Sequence, residues 1–148
     1  MSLEITINDA IKTAMREKDR VALDSLRAVK AQILLLKTEA IGAEVSAEQE
    51  IAILQRMIKQ RKDSYEQFTA QGRTDLAEVE EAQSKVIEKF LPQQLSAEEL
   101  ESEIKTIISE TGAESIKDLG KVMGVASKAL AGKSDGKSIS EMVKKLLA

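Results

Sequence analysis

The helical spacing of apolar residues constrains this chain more than any other feature, because it recurs along nearly the whole length. In one stretch, apolar positions are separated by four, three, four, three and four residues: Ala22, Leu26, Val29, Ile33, Leu36 and Ala40. This spacing lines one face of a helix and is typical of a seam in a helical bundle. With two Phe, one Tyr, no Trp and one Pro, the composition also favours helix. The fold class is therefore predicted to be all-α.

Four helices are predicted before Pro92, over about residues 2–17, 19–41, 46–71 and 75–91. The first has the apolar stripe Leu3, Ile7, Ala10, Ile11 and Ala14. The third has the stripe Ile51, Leu54, Ile58, Tyr65 and Phe68, and Arg61 occupies the stripe position between Ile58 and Tyr65. The fourth has the stripe Leu76, Val79, Gln83, Val86 and Phe90. Caps are predicted at Asp19, at Ser46 with Gln49, at Gly42 and at Gly72. Residues 1–92 are therefore predicted to form an up-and-down four-helix bundle domain.

Pro92, the only proline, is predicted to separate two domains, because it lacks an amide donor and disfavours helix in the preceding residue. Residues 93–148 are predicted to form a small three-helix domain. Its helix starts are predicted at Ser96 with Glu99, at Asp118, and at Ser138 with Glu141. Its buried faces are predicted to be Leu100, Ile104, Ile107 and Ile108, then Leu119, Val122, Met123, Ala126 and Leu130, then Ile139, Met142, Val143, Leu146 and Leu147. Gly112 is predicted to end the first of these helices.

The absence of Cys and His limits the chemistry that this chain can perform. Disulfides, thiolate zinc sites and thiol catalysis are excluded, as are the commonest general base and transition-metal ligand. We therefore expect no catalytic residues, no metal site and no cofactor. No apolar run is long enough to cross a bilayer, and the first twenty residues lack the pattern of a secretory signal. A cytoplasmic location with no membrane partner is the resulting expectation.

The sign of the charge inverts near the end of the chain. Residues 93–116 hold one Lys and six Glu, a net charge of −5, whereas residues 117–148 hold seven Lys and three acids, a net charge of +4. Basic segments of this kind contact phosphates, so four lysines are predicted to bind nucleic acid: Lys121, Lys128, Lys133 and Lys137. The alternative is a solvated helix face without a partner.

A second basic cluster is predicted on the third helix, where Arg56, Lys59 and Lys62 follow one another at intervals of three. This spacing places the three cations near one face, so they are also candidate nucleic-acid contacts. Acids lie nearby on the same helix, and the alternative is a lattice of ion pairs within that helix.

Glycines in the last part of the chain are candidates for packing or for contact with a partner. Gly120 and Gly124 flank Met123, and this spacing predicts either a close approach to a neighbouring helix or backbone exposed to a partner. Gly132 and Gly136 are predicted to supply positive φ angles in a turn. Gly132, Lys133 and Ser134 do not form a phosphate-binding loop, because the glycine required five positions earlier is Ser127.

Five strings in order resemble the GatB/YqeY family: LRAVK at 26–30, KQRKDS at 59–64, FLPQQLS at 90–96, DLGKVMG at 118–124 and GKSDG at 132–136. The resemblance extends over the whole chain, with one departure at Ser134, where the family usually has Ala. It implies a four-helix domain followed by a three-helix domain. It also implies kinship with the tail of GatB, a subunit of the glutamine-dependent aminoacyl-tRNA amidotransferase, and hence an association with carbon–nitrogen ligase activity using glutamine as amido-nitrogen donor.

The tail of GatB helps to hold tRNA, whereas ammonia production and amide formation take place elsewhere in that enzyme. This chain has no amidase Ser-Ser-Lys constellation and no ATP cradle, so we expect it not to be catalytic by itself. The favoured hypothesis is a noncatalytic module that binds tRNA or associates with the amidotransferase machinery. The alternatives are a protein-interaction adaptor with an apolar surface around the last helices, and a true amidotransferase component. The sequence indicates no small-molecule substrate.

Overall fold

The structure is a computed structural model that describes residues 2–39 and 44–148. This part of the chain contains seven α-helices, one short 3₁₀ turn and no strand, which confirms the all-α prediction. The helices are α1 (Leu3–Glu17), α2 (Arg20–Glu39), α3 (Ala47–Ala70), α4 (Thr74–Glu88), α5 (Ala97–Thr111), α6 (Leu119–Ala129) and α7 (Gly136–Leu147). Contacts divide the chain into two compact units, with the division between Leu91 and Pro92. The predicted seam residue Ala40 and the predicted cap Gly42 lie outside the described residues.

The amino-terminal unit is a bundle of α1 to α4 in which α2 packs against each of the other three helices. Side chains from all four helices form one apolar core, including Ile7, Val29, Ile33, Leu54 and Ile87, each almost fully buried. The predicted stripes of α1 and α2 face this core, because their buried residues fall at the expected helical positions. On α3 the buried residues are Ile53, Leu54, Met57 and Ile58, so the buried face includes two residues outside the predicted stripe. Of the other stripe members, Ile51 and Phe68 are only partly buried and Tyr65 is 37% exposed, so the prediction for Tyr65 is wrong.

The buried face of α4 differs from the predicted one. Ala77, Ser84 and Ile87 are buried, whereas Val79, a member of the predicted stripe, is 46% exposed. The remaining stripe residues, Leu76, Gln83, Val86 and Phe90, are only partly buried. The prediction for this helix followed the large apolar residues. The large apolar Ile87, one position after Val86, is buried together with the small residues Ala77 and Ser84, so the buried face is rotated by about one residue from the predicted stripe.

The carboxy-terminal unit contains α5, α6 and α7, which all pack against one another. Its separate core includes Ile104, Val122, Ala126 and Val143, and none of these four side chains is accessible to solvent. The predicted buried faces of all three helices are confirmed, with the flanking members partly rather than fully buried: Ile108, Leu119, Met123, Met142 and Leu146. Because a unit this small buries a smaller fraction of its surface than a large domain does, its stability depends on the whole of this core.

Three of the predicted helix signals are present as expected, and a fourth forms in part. The Asp19 carboxylate accepts a hydrogen bond from the Ala22 amide at 3.0 Å, and Ser46 with Gln49 forms a complete capping box. Gly112 ends α5 in the left-handed conformation, with a φ of 72°. At Ser96 only the serine half of the predicted box forms, through a hydrogen bond from the Glu99 amide.

Three signals near α6 and α7 differ from the predictions. Asp118 precedes α6 but makes no side-chain cap to it; its carboxylate accepts from the amides of Glu114 and Ser115 and closes the 3₁₀ turn Ile116–Asp118. The prediction of a capping box at Ser138 is wrong, because α7 begins two residues earlier, at Gly136. Gly136 therefore has a helical conformation, and only Gly132 in this turn has positive φ, at 78°. A glycine tolerates either conformation, so its presence does not decide between them.

Candidate nucleic-acid interface

All seven lysines of residues 117–148 are exposed: Lys117, Lys121, Lys128, Lys133, Lys137, Lys144 and Lys145. Six ion pairs are present within residues 2–39 and 44–148, and none of them involves these seven lysines. The ammonium groups of the segment are thus not engaged with a carboxylate of the described chain. They remain available to an anionic partner.

Lys121 and Lys128 lie on the same face of α6, because seven residues correspond to nearly two full turns. The buried residues Val122 and Ala126 fix the opposite face against the core. Lys121 also lies close enough to Asp118 to contribute to a lowered pKa of that carboxyl. The larger causes of the lowered pKa are the hydrogen bonds from the amides of Glu114 and Ser115.

The backbone of the turn between α6 and α7 is fixed by hydrogen bonds to the segment before α5. The Leu95 amide donates to the Lys133 carbonyl at 2.9 Å, and the Gln94 side-chain amide donates to the Gly132 carbonyl. Lys133 therefore has an anchored backbone and an exposed side chain. Lys137 lies in the first turn of α7, which contains no acidic residue. The partial positive charge of a helix amino terminus adds to the charge of that lysine.

The two glycines of α6 face solvent and not a neighbouring helix. A Cβ atom built on Gly120 or Gly124 meets nothing within 4 Å in the described chain. The predicted close approach to a helix is therefore not observed, and the alternative of backbone exposed to a partner fits the geometry. Met123, named with them in the prediction, is partly buried against the carboxy-terminal core.

The basic cluster on α3 belongs to the amino-terminal unit, and two of its three members have partners there. Arg56 donates from Nη2 to Gln32 Oε1 at 2.9 Å, and the Lys62 ammonium lies 3.5 Å from a carboxylate oxygen of Glu88. Both contacts join α3 to another helix. The predicted alternative, a lattice of ion pairs within α3, is therefore not observed for Arg56 and Lys62. Lys59 is exposed.

A groove between α3 and α4 was not predicted from the sequence. It is lined by Arg61, Lys62, Tyr65, Glu81, Ser84, Lys85 and Glu88. The Ser84 hydroxyl is buried and has no hydrogen-bond partner within the described residues. Arg61 gave the one signal of this groove in the sequence, because an arginine at an apolar seam position must find polar partners. Ser84 gave none.

Among residues 2–39 and 44–148, no group of three or more acids is placed to hold a metal ion. No helix in the same part of the chain has both the length and the apolar character needed to span a membrane.

Several curated proteins are similar to this chain, and those compared share the name "Altered inheritance of mitochondria protein 41, mitochondrial". The protein of Meyerozyma guilliermondii is 36% identical over 91 residues, which is 58% of this chain and 44% of that protein. The protein of Clavispora lusitaniae is 31% identical over 106 residues, 70% of this chain and 61% of that protein. The protein of Pyrenophora tritici-repentis is 26% identical over 141 residues, 93% of this chain and 76% of that protein. The chain thus spans about half of the length of the first two relatives.

The names of these relatives contradict the predicted cytoplasmic location, which is wrong by this comparison. That prediction depended on the absence of Cys and of a secretory signal. Neither property distinguishes the cytoplasm from a mitochondrion, because both concern export into an oxidising compartment.

The family comparison agrees with the resemblance seen in the sequence. A family model described as "Yqey-like protein" matches residues 4–147. The chain therefore belongs to the YqeY-like protein family.

Proposed function

We propose that this YqeY-like chain is a noncatalytic RNA-binding module that holds tRNA through the lysines of residues 117–137. One observation carries the proposal: the lysines of this basic segment are exposed and form no ion pair with the rest of the described chain. Because these lysines form no ion pair with the described chain, none has to be broken before they contact phosphate. Their contacts with phosphate gain the full entropy of counterion release.

The geometry favours contacts with the sugar-phosphate backbone over contacts with bases. The exposed glycines Gly120 and Gly124 carry no side chain on one flank of Lys121 and Lys128, so a phosphate strand can approach the α6 backbone closely from that side. The only tyrosine of the chain, Tyr65, belongs to the other unit, and there is no Trp on which to stack bases. The module is thus expected to recognise the shape and charge of a folded RNA and to tolerate changes in base sequence.

The resemblance to the tail of GatB motivates tRNA as the RNA class. In this proposal the chain holds tRNA while the amide chemistry takes place on other subunits. Its association with carbon–nitrogen ligase activity is then indirect. Reconstituted, glutamine-dependent amidation of Glu-tRNA(Gln) with and without the chain tests this association. An unchanged rate at both subsaturating and saturating tRNA would exclude a role as an amidotransferase component, because a module that only holds tRNA changes the KM for tRNA.

A fluorescence-anisotropy titration of labelled tRNA at several salt concentrations tests the RNA contact itself. We expect the logarithm of the binding constant to fall linearly with the logarithm of salt concentration. Replacing both Lys121 and Lys128 with Gln should make that slope shallower by about 1.5, since each phosphate contact contributes about 0.7–0.9. The matched control is Lys105→Gln on α5, whose ammonium lies 3.4 Å from a Glu101 carboxylate oxygen.

The control should leave the slope unchanged, and circular dichroism should show that both variants remain helical. Absence of tRNA binding at low salt would refute the proposal. So would a slope change in Lys105→Gln half as large as that of the double variant, because each lost charge would then count equally wherever it lies.

A protein-interaction adaptor is the second candidate, and one specific observation favours it. The space above Gly120 and Gly124 is open, and the apolar Val125 on the same helix is 41% exposed. A partner helix with a small apolar face would fit there without displacing a side chain. RNase treatment separates the candidates, because a complex that depends on RNA dissociates, whereas an apolar contact persists and is lost in Val125→Glu.

A further inference from the structure

We propose that the groove between α3 and α4 binds a small molecule through a carboxylate or phosphate group. The groove has a volume of about 240 Å³. At roughly 30 Å³ for each water molecule in the liquid, this is enough for an organic acid or phosphate ester of a few carbons. The site lies within the amino-terminal unit and uses none of the lysines assigned to RNA, so the two proposals are independent.

Arg61 is the cation that would receive the acid group. Its Nε donates to Gln83 Oε1 at 3.2 Å, and its Nη1 donates to the Met57 carbonyl at 3.2 Å. These two bonds fix the plane of a partly buried guanidinium, while Nη2 has no partner in the described chain. A guanidinium held in this way keeps free donors in a fixed orientation, which is the arrangement that binds oxyanions well.

Ser84 supplies the second, independent observation. Its side chain is 4% exposed and lines the groove, and its hydroxyl has no hydrogen-bond partner in the part of the chain described. Buried hydroxyls in folded proteins nearly always have a partner, so an orphan of this kind calls for an explanation. The Ser84 hydroxyl is inaccessible to solvent, so an acid group beside Arg61 would accept from it only after a local movement opens the groove at this point.

The charges around the groove favour an anion of small size. Two cations are paired with acids, Lys62 with Glu88 and Lys85 with Glu81, each at 3.5 Å. Both pairs are largely exposed, and exposed pairs of this kind rearrange at little cost. Arg61 is then the one lining cation without an acidic partner, and it leaves the groove with an excess of one positive charge.

The test uses two probes with the full-length protein, succinate for carboxylates and glycerol phosphate for phosphate esters, at constant ionic strength. Nuclear magnetic resonance of the ¹⁵N-labelled protein follows the backbone amides, and fluorescence follows Tyr65, which lines the groove. We expect saturable shifts confined to α3 and α4 with at least one probe. The probe that binds more tightly identifies the source of the acid group.

Arg61→Gln should weaken binding of that probe by about tenfold or more, because the charged donor is lost. Ser84→Ala should weaken it by a smaller factor. Arg16→Gln, which removes an exposed arginine from α1, should leave it unchanged. If Arg61→Gln unfolds, Arg61→Lys keeps the charge without the two-pronged geometry and should still weaken binding. Shifts that do not saturate with either probe, or equal affinity of the wild type and the Arg61 variant, would overturn the proposal.

Discussion

Ser25 and Ser84 form a matched pair that tests the buried hydroxyl directly. They are the two buried polar side chains in the described chain, and both lie on helices of the amino-terminal unit. The Ser25 hydroxyl donates to the Val21 carbonyl at 2.8 Å, whereas the Ser84 hydroxyl has no partner. Replacement by Ala makes the same change in volume and helix propensity at both positions. Any difference in the free energy of unfolding therefore reports on the hydrogen bond.

The expected effects have opposite signs. Ser→Ala within a helix gains about 0.5 kcal/mol from propensity. At Ser84 the change also removes a buried, unsatisfied hydroxyl, which costs about 1–3 kcal/mol, so Ser84→Ala should stabilise the unit by about 1.5–3.5 kcal/mol. At Ser25 the change removes a hydrogen bond worth about 1 kcal/mol, so Ser25→Ala should destabilise by about 0.5 kcal/mol.

Urea unfolding followed by tyrosine fluorescence measures both variants without interference from the other unit. The chain has one Tyr and no Trp, and Tyr65 lies in the amino-terminal unit. A change in the midpoint with an unchanged slope in urea indicates a change in stability alone. The reasoning would be refuted if Ser84→Ala destabilised the unit as much as Ser25→Ala, because the Ser84 hydroxyl would then have a partner such as a buried water.

Two further predictions concern the carboxy-terminal unit, measured by circular dichroism. Gly112→Ala should destabilise it by about 1 kcal/mol, because the φ of 72° is unfavourable for a side chain, whereas Gly124→Ala should stabilise it by about 0.5–1 kcal/mol. Neither position has an atom within 4 Å of the added Cβ, so equal effects would contradict this backbone argument. The pKa of Asp118 is lowered by hydrogen bonds from the Glu114 and Ser115 amides, so its contribution to stability is complete above the ordinary value of about 3.9. That contribution is lost as the pH falls through the lowered pKa of the folded state, and Asp118→Asn should show less acid destabilisation than the wild type.

The helices could be predicted from the sequence because large apolar residues repeat at helical intervals. On α5, α6 and α7 these residues are also the ones that are buried, since each helix presents a single face to a small core. On α4 the same reasoning selected Val79, missed the large apolar Ile87 by one position, and missed the small residues Ala77 and Ser84. Small side chains carry little hydropathy signal, and they become buried because of how closely two backbones approach. That distance is a tertiary property.

Capping was predictable where the sequence offered a single helix start, as at Ser46. It was not predictable before α7, where two helix starts were possible. Ser138 with Glu141 has the residues of a capping box, yet α7 begins at Gly136.

For the candidate basic surface, the sequence predicted which residues are cationic but not which of them have partners. Exposure of Lys121 and Lys128 followed from the helical period, but the partners of Arg56 and Lys62 lie on other helices and have no signature in the local sequence.

The two outward-facing glycines have a consequence for how α6 forms. The helix has 11 residues, and isolated helices of that length are marginal in water even with favourable residues. Each glycine weakens it by about 1 kcal/mol more relative to Ala. Tertiary contacts with α5 and α7 must therefore supply its order. Its amide protons should exchange with deuterium only as fast as the whole three-helix unit opens, and a synthetic peptide of α6 would be unstructured and present no organised row of lysines.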